Sequence, residues 1–198
     1  MDTGDPFRNG TTDRAGAWQL DPVSADIRFS ARGLWGLLPV SGSFGQATGS
    51  IVWHPDGTAV VLVAVRADSV TTGMAMRDRH LCGREFLDTR NHPVILFHGR
   101  VIDQRRMRLE VQGLLTVRDT TAEMQLDVSL TREGPGLVAA TAVRIDLSAY
   151  GIGPRFGVVR PDVALVARGR LHPARTPPPT PLTMPPIRTD GVRDLGAK

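Results

Sequence analysis

A polar segment in the first half of the chain carries most of the side chains whose chemistry could be catalytic. Asp78 and His80 lie two residues apart, and Cys82, His92 and His98 follow. A carboxylate beside an imidazole can act as a general acid/base pair, and histidine with cysteine can bind a metal ion. However, residues two apart on a helix do not face each other, and His80 with Cys82 lacks a second pair at ligand spacing. We therefore interpret these groups as structural, with no catalytic or metal-binding role, and keep acid/base chemistry by Asp78 and His80 as the alternative.

The segment that holds these groups is predicted to be a short helical insertion. Thr71 and Thr72 are of the residue types that cap helix starts, and Gly83 is typical of a helix end. A second short turn follows at residues 85–91, and Pro93 separates it from the next extended run. Positions at helical spacing lie between the predicted caps, at Met74, Arg77, Asp78 and Leu81.

Strand patterns dominate the chain on both sides of this insertion. Alternation is clearest in residues 107–117 and 124–130, which are joined by a turn-like sequence. About eight or nine such strands favour a closed or nearly closed antiparallel β-barrel, because closure removes exposed strand edges. A β-sandwich is the alternative, and an eight-stranded barrel can be filled by side chains or hold one small ligand. The predicted strands are residues 27–31, 40–44, 47–53, 59–67, 94–101, 107–117, 124–130, 138–146 and 158–171.

One predicted strand is apolar on both of its faces. Residues 59–65 read Ala-Val-Val-Leu-Val-Ala-Val, whereas a strand with one face in water alternates apolar and polar residues. Its second face is therefore predicted to be covered, either by the helical insertion or by another subunit in a homodimer.

Composition and charge limit the binding partners, the disulfide content and the location that we expect for the protein. The chain has 198 residues and a net charge of +4, carried almost wholly by scattered arginines, since Lys198 is the only lysine. Scattered charge without a series of stacking aromatics gives no support for nucleic-acid binding. The single cysteine, Cys82, excludes an internal disulfide. With no signal-peptide pattern and no apolar run of membrane-spanning length, a cytoplasmic protein is expected, and export stays open.

Local composition divides the chain into three parts. Residues 1–16 are predicted to be a disordered leader, residues 17–172 a β-barrel domain, and residues 173–198 a proline-rich disordered tail. A tail of this composition can also dock to a proline-reading partner. An interaction or scaffold protein with a filled barrel is therefore a further alternative.

Several short motifs, in a fixed order, together resemble the YceI-like family. They include Thr71-Thr-Gly73, the sequence MRDRHL at residues 76–81, EFLD at residues 85–88 and His92-Pro93. The opening WQLDP at residues 18–22 and the central VQGLLTV at residues 111–117 resemble other parts of the same family. The similarity extends over about residues 18–172. This chain differs from the family pattern at two positions. It has Tyr150 where the family usually has phenylalanine, and Asp119 where glycine is common.

The resemblance implies an extended, lipocalin-like antiparallel barrel with a long apolar cavity. It further implies a non-catalytic protein, often dimeric, that binds isoprenoid-type lipids such as polyprenyl chains or quinones without a cofactor. Such a cavity needs mostly apolar side chains with few polar groups, and a charged residue at its mouth, Arg77 or Arg79, can meet a polar lipid head. The candidate ligand-binding residues are Phe29, Phe44, Leu62, Met74, Arg77, Leu81, Phe86, Phe97, Leu115 and Phe156.

Overall fold

A computed structural model of the protein describes residues 16–32, 39–152 and 162–174. These residues form eleven strands, one α-helix, α1 (Ala75–Leu81), and two 3-10 turns, Ala67–Ser69 and Leu147–Tyr150. The strands are β1 (Gly16–Leu20), β2 (Asp26–Arg32), β3 (Pro39–Phe44), β4 (Ala47–Trp53), β5 (Ala59–Arg66), β6 (Val70–Thr71), β7 (Val94–Arg105), β8 (Arg108–Val117), β9 (Thr120–Glu133), β10 (Gly136–Asp146) and β11 (Asp162–Pro173).

Eight of these strands close into an antiparallel barrel. They follow the order β1-β4-β5-β7-β8-β9-β10-β11, and β11 pairs back with β1. A sandwich would instead consist of two separate sheets packed face to face. The closed ring therefore confirms the predicted barrel and excludes the sandwich.

Three further strands extend the barrel wall at one end. β11 pairs with β2 over residues 163–168 and with β1 over residues 171–173, so β1 and β2 occupy one edge of β11 in succession. β3 pairs with β2, and the short β6 pairs with β3. The ladder between β5 and β7 ends at Arg66 and Val94. β6 and β7 do not pair with each other. The helical insertion, residues 72–93, connects these two strands at this end of the barrel.

The connections between strands distinguish the two ends of the barrel. Tight hairpins join the strands at residues 54–58, 106–107 and 134–135, and we call this the hairpin end. The opposite end carries β2, β3, β6, the helical insertion and the turn Leu147–Tyr150. We call it the entrance end. No helix in the described part of the chain combines the length and apolar character that a membrane-spanning helix needs.

The helix begins later than the sequence pattern predicts. Thr71 and Thr72 do not cap it, because the cap residue is Met74, which makes no side-chain cap hydrogen bond. Both threonine hydroxyls instead donate to the carboxylate of Asp78 in the first turn of the helix. The helix ends at Leu81, close to the predicted stop at Gly83.

The predicted strands are largely confirmed, with differences at their ends. β7 and β9 are longer than predicted, because each continues into a hairpin at the hairpin end. The left-handed backbone in the turn between β8 and β9 belongs to Arg118, with φ of 58°, and not to Asp119. Phe156, the predicted leader up to residue 15 and the tail from residue 175 lie outside the described residues.

Candidate functional site

The barrel interior at the hairpin end is packed with large apolar side chains. Trp18 and Trp53 are 7% and 4% exposed, and Leu109 and Val111 are 1% and 0% exposed. These residues belong to one continuous cluster that also includes Leu130, Leu137 and Leu171, and that continues to Val117, Tyr150 and Ile152 on the β8 and β10 side of the entrance end. Close packing of this kind leaves no room for a ligand.

Inward-facing side chains at the entrance end are covered less completely. Phe29 lies in register with Gly42 on one side and Leu165 on the other, and it shares the face of the buried Ile27. Phe29, Phe44 and Leu165 are only half-buried, although the alternation of their strands directs them inward. These apolar residues on the inner wall are therefore not fully enclosed by the side chains of residues 16–32, 39–152 and 162–174.

Phe29 and Phe44 form an aromatic pair on this open part of the wall. Their ring centroids are 5.7 Å apart, and the rings are tilted by 49°. Gly42 lies beneath Phe29: a Cβ atom there would lie 2.5 Å from the phenyl ring and 2.5 Å from the Thr71 carbonyl oxygen. The glycine therefore allows the phenyl ring to lie flat against the wall.

The floor of the open part is formed near the end of β1. The side chain of Leu20 lies against Gly169 of β11, where a Cβ atom would collide with it, and close to Gly49 of β4. Below it, Trp18 pairs with Ile51 in the packed cluster. Leu20 thus marks the level at which the open interior gives way to the packed hairpin end.

Two of the predicted ligand-binding residues belong to the packed cluster. Phe97 and Leu115 are 5% and 8% exposed. The ring of Phe97 covers the paired glycines Gly99 and Gly113, where added Cβ atoms would lie 2.9 Å and 2.8 Å from it. Both residues face the interior, but neighbouring side chains cover them, so they belong to the packed core and not to the half-buried wall.

The carboxylate of Asp78 holds the start of the insertion together by hydrogen bonds, and we call the hydrogen-bonded group of Thr71, Thr72, Arg77 and Asp78 the clamp. This carboxylate accepts hydrogen bonds from the Thr72 backbone N–H at 2.8 Å, the Thr72 hydroxyl at 2.6 Å and the Thr71 hydroxyl at 3.1 Å. The hydrogen bond from the Thr72 hydroxyl is the largest factor that lowers the pKa of Asp78 below its ordinary value. A carboxylate that is ionised and saturated with donors is a poor general base.

Arg77 joins the same clamp instead of facing a ligand. Its Nε donates to the Thr72 hydroxyl oxygen at 2.7 Å, and its Nη2 donates to the Thr72 carbonyl oxygen at 3.2 Å. His80 has different partners: its Nε2 lies 3.4 Å from Glu85 Oε2, and its ring meets the Phe86 ring edge-on at 4.9 Å. Asp78 and His80 therefore contact separate groups.

Two further polar side chains of the insertion, Asp88 and Thr89, bond within it. Asp88 accepts from the Asn91 side-chain amide at 2.9 Å and lies 4.0 Å from His92. The Thr89 hydroxyl donates to the Cys82 carbonyl oxygen at 3.4 Å. Within residues 16–32, 39–152 and 162–174, no three His, Cys, Asp or Glu side chains are grouped closely enough to hold a metal ion.

The structure separates the other predicted site residues into three groups. Phe86 is half-buried and packs against the core cluster, and Leu81 is half-buried on the helix. Met74 is 54% exposed, so it lies on the outside of the entrance. Leu62 shares the outer face of β5 with Val60 and Ala64, opposite to the inward Val61, so it lies outside the barrel interior.

Sequence reasoning missed two polar groups, Arg118 and Thr141. Arg118 donates from Nη1 to the Phe86 carbonyl oxygen at 3.5 Å, while its buried Nε has no hydrogen-bond partner among the described residues. Thr141 lies on the inner face of β10, opposite Ala167 and Val128, and its buried hydroxyl is likewise unpartnered within the described part of the chain. Alternation predicts the inward direction of Thr141, but no sequence signal predicts that its neighbours offer no acceptor.

An apolar patch covers the outer wall around β5, as the two-faced apolar run predicts. Leu62 lies between Ser50 of β4 and His98 of β7, and His98 lies beside Leu114 of β8. α1 packs against β6, so among the described residues no helix covers this wall. The outer patch consists of Val52, Val60, Leu62, Ala64, Leu96 and Leu114 around His98.

Comparison with known proteins places this architecture in a family. The family model of the YceI-like domain matches residues 18–170, so the chain belongs to the YceI-like family. A UPF0312 protein of Pectobacterium carotovorum is 30% identical over 95 residues, and one of Yersinia pestis is 32% identical over 95 residues. Each match covers 47% of this chain, and the chain spans about half the length of these curated relatives, 50% in both cases.

Solved structures share the fold at lower sequence identity. BcnA of Burkholderia cenocepacia superposes with a TM-score of 0.67 and 15% identity, over 76% of this chain and 98% of BcnA. A polyisoprenoid binding domain from Saccharophagus degradans, implicated in plant cell wall breakdown, gives a TM-score of 0.65 and 14% identity, over 80% and 99% of the two chains. A Campylobacter jejuni YceI protein gives a TM-score of 0.61 and 17% identity, over 69% and 86%. At these identities the likeness concerns the barrel fold.

Proposed function

We propose that this protein is a non-catalytic carrier that holds an isoprenoid-type lipid, a polyprenyl chain or a quinone, in the entrance half of its barrel. The observation that carries the proposal is the half-buried, inward-facing wall of Phe29, Phe44 and Leu165 above a packed hairpin end. Family membership and the polyisoprenoid binding domain among its structural neighbours support the same choice.

The chemistry of the wall suits a long apolar chain. Each Å² of apolar surface removed from water contributes about 25 cal/mol, so a prenyl tail gains affinity without directed bonds. Among the wall residues, only Thr141 places an unpartnered hydroxyl on this inner face within the described ranges. A ligand of this class is held mainly by contact area, and the few polar groups set its orientation.

Arg118 is the residue that we assign to the polar head of the ligand. Arg77 is engaged by Thr72, whereas Arg118 lies beside Phe86 at the entrance with its Nε unpartnered in the described structure. A guanidinium binds carbonyl or phosphate oxygens well. Its left-handed backbone, φ of 58°, is the geometry of a two-residue hairpin turn, as at Arg106 with φ of 53°, and it fixes the position of Arg118 beside the insertion.

Organic extraction of the purified full-length protein followed by mass spectrometry tests the carrier function. We expect a co-purifying isoprenoid and saturable binding of a fluorescent prenyl probe. Arg118→Met should weaken a quinone or phosphorylated probe more than a hydrocarbon probe of equal length, while Arg105→Met at the hairpin end serves as the matched control. Empty extracts from repeated preparations together with no probe binding would contradict the proposal.

A homodimer formed through the outer patch completes this proposal. The half-buried Leu62 and the exposed Leu96 give this wall an apolar surface of the kind that subunit interfaces bury. Sedimentation should show a dimer that Leu62→Asp converts to monomer. A strictly monomeric wild-type protein would refute this part and leave the carrier function untouched.

A further inference from the structure

The outer surface of the insertion combines exposed methionines with arginine. Met74 is 54% exposed and Met76 is 76% exposed, although both are large apolar side chains. Two half-buried residues of α1, Arg77 and Asp78, turn toward Thr72. The helix therefore presents its methionines to the outside of the entrance and its clamp to the protein.

The charge on this surface is predominantly positive. Arg79, Arg84 and Arg90 are exposed on the insertion. Asp78 is half-buried and Asp88 is 8% exposed, so Glu85 is the exposed carboxylate within residues 72–93 that opposes these arginines. Arg79 keeps its side chain along the helix through a 3.3 Å hydrogen bond from Nε to the Ala75 carbonyl oxygen.

We propose that the exposed face of the insertion docks onto the surface of a lipid bilayer that contains anionic lipids. Methionine side chains adapt to irregular apolar surroundings, and apolar residues beside basic residues are the pattern of interfacial membrane contact. Arginines at the same level attract the negative surface of the bilayer. Exposed apolar area beside three exposed arginines, which the one exposed carboxylate of residues 72–93, Glu85, does not balance, complements an anionic bilayer.

Docking at this face would bring the open part of the barrel to the bilayer. β2, β3 and the insertion all lie at the entrance end, where Phe29 and Phe44 line the wall. A prenyl lipid can then pass between bilayer and barrel without crossing water. This functional use depends on the proposed carrier function, but the docking itself does not.

The hairpin end provides an internal control for charge. Arg105, Arg106 and Arg108 are exposed there as well, so binding by net charge alone would involve both ends equally. Val23, 94% exposed in the turn between β1 and β2, is the matched control for an exposed apolar residue.

Vesicle flotation with the full-length protein tests the docking surface. Vesicles of phosphatidylcholine mixed with phosphatidylglycerol should bind the protein more tightly than pure phosphatidylcholine, and salt should weaken binding. The pair Met74→Ser with Met76→Ser and the pair Arg79→Glu with Arg84→Glu should each lower binding by about tenfold or more. Val23→Ser and the pair Arg105→Glu with Arg106→Glu should bind like the wild type, and circular dichroism checks that every variant is folded.

Three outcomes would overturn the docking surface: no binding to anionic vesicles, equal loss from the hairpin-end pair, or full binding by the methionine pair. Binding of a fluorescent prenyl probe by the wild-type protein without vesicles is measured in parallel. Loss of probe binding with intact vesicle binding would contradict the carrier function alone. Intact probe binding without vesicle binding would contradict the docking surface alone.

Discussion

The hairpin end and the entrance end of the barrel share eight strands, but the entrance end adds β2, β3 and β6, and its interior differs along these added strands. At the hairpin end, two tryptophans and a set of leucines fill the space, and residues such as Leu109 are 1% exposed. At the entrance end, Phe29 and Leu165 face inward from β2 and β11 and stay half-buried. Strand alternation alone therefore does not decide whether a barrel is filled.

We expect the packed hairpin end to determine the stability of the fold and the entrance end to determine ligand binding. Closely packed apolar side chains contribute most of the free energy of folding, and removing one leaves a cavity. Half-buried side chains on an open wall contribute less to folding and more to contact with a ligand. Substitutions at the two ends should therefore affect different measurements.

The largest effect on stability is expected for Leu109→Ala. Leu109 is enclosed in the packed cluster, so its truncation should lower the free energy of unfolding by about 2–5 kcal/mol. Urea unfolding measures this change. Probe affinity per folded molecule should stay constant, and a parallel loss of affinity would mean that the two ends are not separate.

Gly113→Ala should also destabilise the packed end. A Cβ atom at residue 113 would lie 2.5 Å from the His98 carbonyl oxygen and 2.6 Å from Gly99 Cα, both backbone atoms that cannot rotate away. Overpacking of this kind costs about 1–3 kcal/mol. Gly16→Ala is the matched control, because nothing lies within 4 Å of a Cβ atom there. Equal midpoints for the two variants in urea unfolding would contradict the predicted contact.

Phe29→Ala, at the entrance end, should lower ligand affinity more than it lowers stability. The substitution removes the ring that pairs with Phe44 at 5.7 Å on the open wall. We expect probe affinity to fall by about tenfold, from lost apolar contact, with a smaller loss of stability than Leu109→Ala. Titration with a fluorescent prenyl probe and urea unfolding of the same samples measure both effects. A variant that loses stability like Leu109→Ala and keeps its affinity would show that Phe29 belongs to the core.

Thr141→Val tests the polar group on the inner wall. Its hydroxyl is buried without a protein partner in the described structure, and such a group costs about 1–3 kcal/mol. In ligand-free protein the valine variant should therefore be more stable by about 1 kcal/mol. Thermal unfolding of the delipidated protein measures the change. A loss of stability would indicate that the threonine hydroxyl has a partner such as bound water.

The smallest effect is expected for Asp78→Asn at the entrance. The folded protein lowers the pKa of Asp78, so the carboxylate stabilises the fold above its ordinary pKa of 3.8, and this contribution is lost as pH falls through the lowered value. The variant should unfold at a slightly lower temperature than the wild type at neutral pH, and the difference should shrink in strong acid. A difference that does not vary with pH would mean that the ionised carboxylate is not the stabilising group.

Much of the barrel follows from the sequence, because alternation in residues such as Leu109 and Val111 directly reports which face is buried. The helical insertion is harder to predict in detail. Thr71 and Thr72 have the chemistry of helix caps, but a carboxylate one turn into the helix competes for their hydroxyls, so the helix starts at Ala75. Local propensity cannot rank these competing hydrogen bonds.

The predicted binding residues show the same limit. Leu62 is apolar on a strand that is apolar on both faces, so its direction depends on register, which places it on the outer wall. Phe97 and Leu115 face inward, but their burial depends on neighbours that are distant in sequence. Arg118 has no motif, because its backbone conformation and the position of its guanidinium arise only in the folded turn. The cytoplasmic location, the leader and the proline-rich tail stay predictions.

The position of Leu20 has a consequence for the length of the guest molecule. Its side chain fits over Gly169 at a fixed depth, immediately above the packed Trp18. In the proposed carrier, a prenyl tail that enters from the open end would meet this leucine as a stop, so the depth of Leu20 would limit how many isoprene units the barrel encloses. Prenols up to one length should then be retained whole, and longer ones should protrude into the solvent or the membrane from which they came.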